Sequence, residues 1–303
     1  MSRSGAIILN PFCDNACVFC GNRERAAPDQ MREQEELARK NVEHHLARGI
    51  RNIEISGGDP GEFDRLPELI RDMKRMGVNH VRLSTNGCRC SDPAWADALV
   101  DAGLDAVKIP LYGSTAAVHE QVARKPGAYD QTLRAMEHFK RRGVPLSIHV
   151  LVVRPNRENL LDLYRLMLTF TDWRRCGFGV PCLAGDGGNF YVPIKDLQPD
   201  LVPLVYYGAG RGAPPVFFEL PQCVLGFPYP HILRGGPPSQ GLQQPPEAYR
   251  SDVEDVPTYR LKSKPPMCRS CARSDVCDGF FTNDLRRYGT GSLVPFAAGE
   301  EGA

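Results

Sequence analysis

The chain has no apolar run approaching the roughly 18 residues that a membrane-spanning helix requires. Its first ten residues, MSRSGAIILN, have neither the length nor the small-residue cleavage site of a signal peptide. A helical anchor and a secretory route are thereby excluded as readings of the sequence, and a cytoplasmic protein is expected. A dominant charge is also missing. Lys and Arg total 37 against 36 Asp and Glu, a formal net of +1, so no overall field draws the molecule to nucleic acid or to an anionic membrane. Partners of either kind are not expected.

Cysteine, by contrast, is plentiful. Eleven thiols are many for a reducing compartment, where disulfides are rare, unless they bind metal or do chemistry. Their spacing therefore carries more information than their number.

At 303 residues and 42% apolar content the chain can bury a full core. From residue 5 to about 185, short β-rich runs alternate with longer helical patterns. Strands are predicted at Ala6–Asn10, Asn52–Ser56, Val81–Thr85, Ala106–Leu111, Leu146–Val153 and Gly177–Leu183, and helices at Gln30–Ala47, Arg65–Met76, Pro93–Ala102, Tyr129–Arg141 and Arg157–Thr169. Such alternation predicts an α/β fold, a partial (β/α)6 TIM-type barrel over residues 1–210. Beyond it, prolines and glycines crowd Gly208–Pro215 and Gly235–Pro246 and no strong period survives. Residues 211–303 are read as a small Cys-rich extension. It has too few apolar residues for a core of its own, and a metal centre would supply the missing order.

The first cysteine group, Cys13, Cys17 and Cys20, follows the first predicted strand, at the end where βα barrels keep their active sites. Three thiolates so close together can each bind a different iron of a 4Fe-4S cube, leaving the fourth iron open to a small-molecule ligand. The competing readings are a zinc site short of one ligand and three thiols that merely fill space. Zinc knuckles usually come as two C-x2-C pairs, and Asp14 and Asn15 beside the thiols fit packing poorly.

This C-x3-C-x2-C spacing, with the aromatic Phe19 just before the third cysteine, resembles the radical S-adenosylmethionine (radical SAM) superfamily. The resemblance implies that the open iron chelates the amino and carboxylate groups of the cofactor's methionine and that an electron from the cluster breaks a carbon-sulfur bond. The 5'-deoxyadenosyl radical so formed takes a hydrogen atom from a substrate. An electron donor such as a flavodoxin or ferredoxin is implied as well. Gly57, Gly58, Asp59 and Pro60, ending the second strand, resemble the family's GGEP-like motif, which receives the methionine ammonium. Ser84, Thr85, Asn86 and Gly87, ending the third, resemble the STNG segment that lines the cofactor's ribose and methionine. Each motif alone is also an ordinary turn signal, but their order along the chain favours the cofactor. Val107–Gly113 and the helical stretch after it look like the fourth barrel unit, so the resemblance extends over residues 5 to about 170.

Cys268, Cys271 and Cys277 form a second tight group, with Cys223 as a distant fourth ligand. Four thiolates can enclose a 4Fe-4S cluster or hold a structural zinc, and spacing does not separate the two. Behind a radical barrel the arrangement resembles the SPASM and twitch extensions, which implies one auxiliary 4Fe-4S cluster of the shorter, twitch type.

Cys88, Cys90, Cys176 and Cys182 read by default as small apolar fillers. Cys88 and Cys90 directly follow the STNG turn, which makes them candidates for donating a hydrogen atom to a substrate radical, as in radical epimerases. His149 alternates within a predicted strand and is the third catalytic candidate; Lys108 is placed to point inward from another strand. His44, His45 and His138 are taken as exposed or satisfied.

The expected function is radical SAM chemistry on a peptide or small molecule, as an oxidoreductase, epimerase or natural-product maturase. With the cluster starting at residue 13, no leader-recognition domain is expected ahead of it, which tilts the reading towards a small molecule or a separately delivered peptide. Two alternatives stand beside it. A non-catalytic iron-sulfur electron-transfer protein would need the four-thiolate site but neither GGDP nor STNG. A zinc-dependent binding module would need a basic face that the composition does not provide.

Overall fold

The computed structural model describes residues 4–9, 13–20, 31–181, 188–233 and 262–299. Cys182 and the proline-rich 235–246 lie outside the described residues. Eight strands form one sheet in chain order: β1 (Ser4–Ile8), β2 (Asn52–Ser56), β3 (His80–Ser84), β4 (Ala106–Pro110), β5 (Leu146–Leu151), β6 (Cys176–Gly179), β7 (Val216–Phe218) and β8 (Ile232–Leu233). Pairing is parallel from β1 through β4 and again from β6 through β8. The helices α1 (Met31–Ala47), α2 (Leu66–Arg75), α3 (Pro93–Asp101), α4 (Ala116–Ala123), α5 (Ala128–Arg141), α6 (Leu160–Phe170) and α7 (Gln198–Ala209) fall between the strands. This is the expected α/β architecture, in a series that fits a partial barrel.

Period-two alternation decides which face of the sheet is buried. Ile53, Ile55, Val81, Leu83, Val107 and Ile109 are at most 1% exposed, while their alternates Glu54, Arg82, Ser84 and Lys108 keep access to solvent. On α2, Leu66, Leu69, Ile70 and Met73 are fully buried, each contributing roughly 1.5–3 kcal/mol over an exposed side chain. Helix starts follow local chemistry. Asp92 caps α3 by accepting from Ala94 N, with Pro93 at the first helical position, and Thr115 caps α4. The helix expected after β4 is two: α4 stops at Arg124, whose φ of 53° is left-handed, and α5 begins past Gly127.

The described chain forms two compact units. One holds the residues up to Leu111 and Thr115–Ile148; the other holds Tyr112–Ser114 and the residues from His149 onwards. The second unit also carries a small antiparallel sheet, β9 (Lys262–Ser263) with β10 (Phe280–Phe281), followed by α8 (Thr282–Tyr288). No helix among the described residues is long and apolar enough to cross a membrane.

Candidate functional site

The loop after β1 carries Cys13, Cys17 and Cys20 and is tied by its backbone to α4. Ala16 N donates to Ala123 O at 3.0 Å and Val18 N to Val122 O at 2.9 Å. It is also tied to the turn after β3. Asn86 Nδ2 donates to Asp14 Oδ1 at 2.7 Å and points at Cys13 Sγ at 3.7 Å, while Asn86 Oδ1 accepts from Cys88 N at 2.8 Å. Thr85 Oγ1 accepts from Gly87 N at 3.1 Å, and Thr132 Oγ1 donates to Asn86 O at 3.0 Å. The STNG segment is therefore a turn and a link at once: its side chains fix its own backbone and spare one amide for the cysteine loop. Lys125 pairs with Asp14 from the other side.

Gly57, with φ 148°, adopts a conformation open to glycine and leads into Asp59. Asp59 caps the short 3-10 helix Pro60–Glu62, with Oδ1 accepting from Gly61 N at 3.1 Å. The carboxyl is fully buried and Oδ2 makes no hydrogen bond among the described residues. Burial pushes its pKa up to about 7, against the neighbouring Thr85 hydroxyl and Gly61 amide, with the Asp14 and Glu62 charges adding to the rise. One carboxylate oxygen each from Asp14, Asp59 and Glu62 lies within 4.8 Å of the others. An orphaned, buried carboxylate oxygen in an acidic pocket is costly alone and well matched to a cationic amine.

On the open face of the same strands, Ser84 Oγ donates to Glu54 Oε1 at 2.6 Å, Lys108 pairs with Glu54, and Arg82 Nη1 stands 3.6 Å from Glu54 Oε2. Burial works against ionisation of Glu54, but the Lys108 charge beside it outweighs that and holds the carboxyl below its usual range. Sequence reasoning singled out Lys108, and Asp14 as a charge beside the thiols, but missed Glu54 and Lys125. Glu54 had a readable signal: an acidic residue alternating with two buried isoleucines.

Cys88 and Cys90 are buried rather than open to a pocket, at 2% and 0% exposure. Cys88 Sγ points at Asn15 Oδ1, 3.7 Å away, and burial with the nearby Asp14 charge raises its pKa to about 12, keeping it a neutral thiol. Cys90 sits in the 3-10 turn Arg89–Ser91, its pKa also raised by burial. Cys176 is a buried filler on β6. Phe19 is half-buried in the cysteine loop.

In the second unit, one cavity is lined by Cys223, Cys268, Cys271 and Cys277, with Pro221, Met267 and Phe280 among its apolar walls. Two backbone amides, Gln222 N and Gly279 N, each point at Cys277 Sγ at 3.4 Å. Burial, then the charges of Cys277 and Cys268, push the Cys223 thiol up to about 12. Four sulfurs gathered around one cavity fit a bound cation or cluster, which would hold them as thiolates. His149 lies in the same unit on β5, its ring centroid 5.1 Å from that of Phe218.

The sequence model of the Radical SAM superfamily matches residues 7–167, just over half of the chain. Among curated proteins, the probable GTP 3',8-cyclase of Sulfolobus acidocaldarius is 27% identical over 157 residues, covering 52% of this chain and 49% of its own length. The PqqA peptide cyclase of Ruegeria pomeroyi is 29% identical over 158 residues, covering 52% of this chain and 41% of its own. The chain thus matches about half the length of these curated relatives or less. Among solved structures, native anSMEcpe with bound AdoMet aligns with a TM-score of 0.61 at 16% identity, over 97% of this chain and 93% of that one. At that identity the likeness is one of fold.

Proposed function

The chain belongs to the radical SAM superfamily, and on that premise we propose that it cleaves S-adenosylmethionine reductively and directs the resulting radical at a peptide or small-molecule substrate. The observation that carries this reading is convergence. Asn86 of the third motif reaches Cys13 of the first, while Asp59 of the second leaves a buried oxygen without a partner.

The residues present fit the cofactors. Cys13, Cys17 and Cys20 would hold a 4Fe-4S cluster, with the Asn86 amide directed at one sulfur. Asp59 Oδ2 would take the methionine ammonium, and Gly57 and Gly58 let backbone come close to it. When bound, the cluster and S-adenosylmethionine supply a 5'-deoxyadenosyl radical. The chain's own part is to bind, orient and exclude water. Lys125 and Asn86 clamp Asp14, so the loop that carries the thiols keeps one shape.

In the same reading Cys223, Cys268, Cys271 and Cys277 hold an auxiliary 4Fe-4S cluster, residues 1–210 are the radical SAM core, and 211–303 the auxiliary region. The protein works in the cytoplasm with a flavodoxin- or ferredoxin-type reductant. Support for the auxiliary cluster is the cavity that all four cysteines line. Anaerobic reconstitution followed by dithionite and S-adenosylmethionine tests the proposal: 5'-deoxyadenosine is expected, and its absence from a fully iron-loaded preparation would overturn it.

A further inference from the structure

Within the third motif, Ser84 is the side chain left for a ligand. Thr85 Oγ1 accepts from Gly87 N and lies beside the Asp59 carboxyl. Asn86 directs its amide at Asp14 and Cys13 and takes the Cys88 N–H on its oxygen. Both side chains are thus spent on the protein. The Ser84 hydroxyl bonds Glu54 Oε1 at 2.6 Å and has no further hydrogen bond among the described residues. It shares a face with Glu54 and Lys108, opposite the buried Leu83, and keeps access to solvent.

Charge fixes the direction of the Ser84–Glu54 bond. Lys108 Nζ pairs with the same Glu54 oxygen, and Arg82 Nη1 stands 3.6 Å from the other. Burial opposes ionisation of Glu54, but the Lys108 charge outweighs it and keeps the carboxyl below its usual range. Glu54 is therefore a carboxylate at neutral pH, an acceptor with no proton to give. The hydrogen in the bond is the one that Ser84 owns, so the hydroxyl can offer a further group only its lone pairs. Backbone holds this register: Ser84 is paired with Lys108 across β3 and β4, and Thr85 N donates to Lys108 O at 3.1 Å. Glu54, Ser84 and Lys108 all belong to the first unit, as does the cysteine loop.

We propose that Glu54, anchored by Lys108, is a positioning residue that locks Ser84 as a hydrogen-bond acceptor, so that Ser84 selects a donor on S-adenosylmethionine, one of its two ribose hydroxyls. The proposal rests on the radical SAM reading, in which this segment borders the cofactor's ribose and methionine. The methionine ammonium is already matched by the orphaned Asp59 oxygen, which leaves the ribose to Ser84. A site that presents only lone pairs rejects a group lacking the hydroxyl proton, because acceptor then faces acceptor.

Equilibrium dialysis of the reconstituted, unreduced holoenzyme against S-adenosylmethionine and its 2'-deoxy-2'-fluoro and 3'-deoxy-3'-fluoro analogues tests it. Fluorine is close to a hydroxyl in size but donates no hydrogen bond. The wild type is expected to bind one of the analogues about tenfold more weakly than S-adenosylmethionine. Glu54→Ala frees the Ser84 hydroxyl to turn its proton towards the ligand and should narrow that ratio to about threefold or less. Glu54→Gln, whose amide oxygen Lys108 keeps turned towards Ser84, should retain it. Equal affinity of the wild type for all three ligands overturns the proposal, as does loss of the ratio in Glu54→Gln. So does a Glu54→Ala variant that binds all three more weakly by the same factor, because Glu54 would then serve only to hold the strands. Should Glu54→Ala fail to fold, Glu54→Met, which keeps the bulk of the side chain, takes its place. The wild-type preparation is also reduced with dithionite and assayed for 5'-deoxyadenosine. Cofactor cleavage without hydroxyl discrimination sinks the role of Glu54 alone, and failure to cleave counts against the radical SAM reading.

Discussion

Asn86 Nδ2 stands 3.7 Å from Cys13 Sγ although 73 residues separate the two in the chain. The same amide bonds Asp14, so one side chain sets both the position of the cysteine loop and the polarity around one of its sulfurs. Amide donors to a cluster sulfur stabilise its reduced form. Asn86→Ala is therefore expected to retain iron but to show a more negative midpoint in an EPR-monitored redox titration, with cofactor cleavage slowed roughly tenfold. An unchanged midpoint would remove Asn86 from the electronics of the site.

Asp59 gives a pH dependence. Its carboxyl is raised to about 7 by burial, so in the cofactor-free protein it takes up a proton as pH falls through neutrality. The form that attracts an ammonium is the ionised one, which prevails above that value. Affinity for S-adenosylmethionine is expected to weaken by up to tenfold per unit below about pH 7 and to level off above it. Asp59→Asn should bind weakly at every pH. Isothermal titration at pH 6 and pH 8 checks this; equal affinities in the wild type would contradict the assignment.

Much of the first unit was legible in the sequence. Asn52–Ser56 forms the expected strand, and the other strands up to β5 lie within two residues of expectation at each end, because each alternates or runs apolar between clear breaks. The three motifs were legible as words, but not their convergence: Asn86 reaching Cys13 depends on how the ends of β1 and β3 are placed. The second unit was harder to read. β7 and β8, of three and two residues, are too short to show a period, and α7 contains Pro203, which reads as a helix breaker. Gly177 and Gly179 of β6 lie against the ring of Phe218, a cross-strand contact that the sequence does not display.

Gly179→Ala should be destabilising out of proportion to one methyl group. The added Cβ would fall 2.2 Å from the Phe218 ring, so the ring or the strand must shift. A loss of ~1–3 kcal/mol is expected, read as a lower midpoint in denaturant. Gly143→Ala provides the comparison, since there a Cβ meets nothing within 4 Å and only the backbone conformation resists it. Equal losses at the two positions would show that Phe218 yields freely.

The auxiliary site is tested by metal content. Two 4Fe-4S clusters give about eight irons per chain, whereas about four irons with one zinc would make the C-terminal centre structural. Cys268→Ala should spare some cofactor cleavage but stop substrate turnover. Full turnover by a folded Cys268→Ala variant would remove the auxiliary centre from the mechanism.

The most direct measurement is 5'-deoxyadenosine formation by a Cys13→Ala, Cys17→Ala, Cys20→Ala variant beside the wild type, both reconstituted anaerobically and reduced with dithionite. The account predicts that the variant keeps the iron of the second site and forms no 5'-deoxyadenosine, while the wild type forms it. Product from the triple variant at the wild-type rate would contradict the assignment of these three cysteines as the cluster that activates the cofactor.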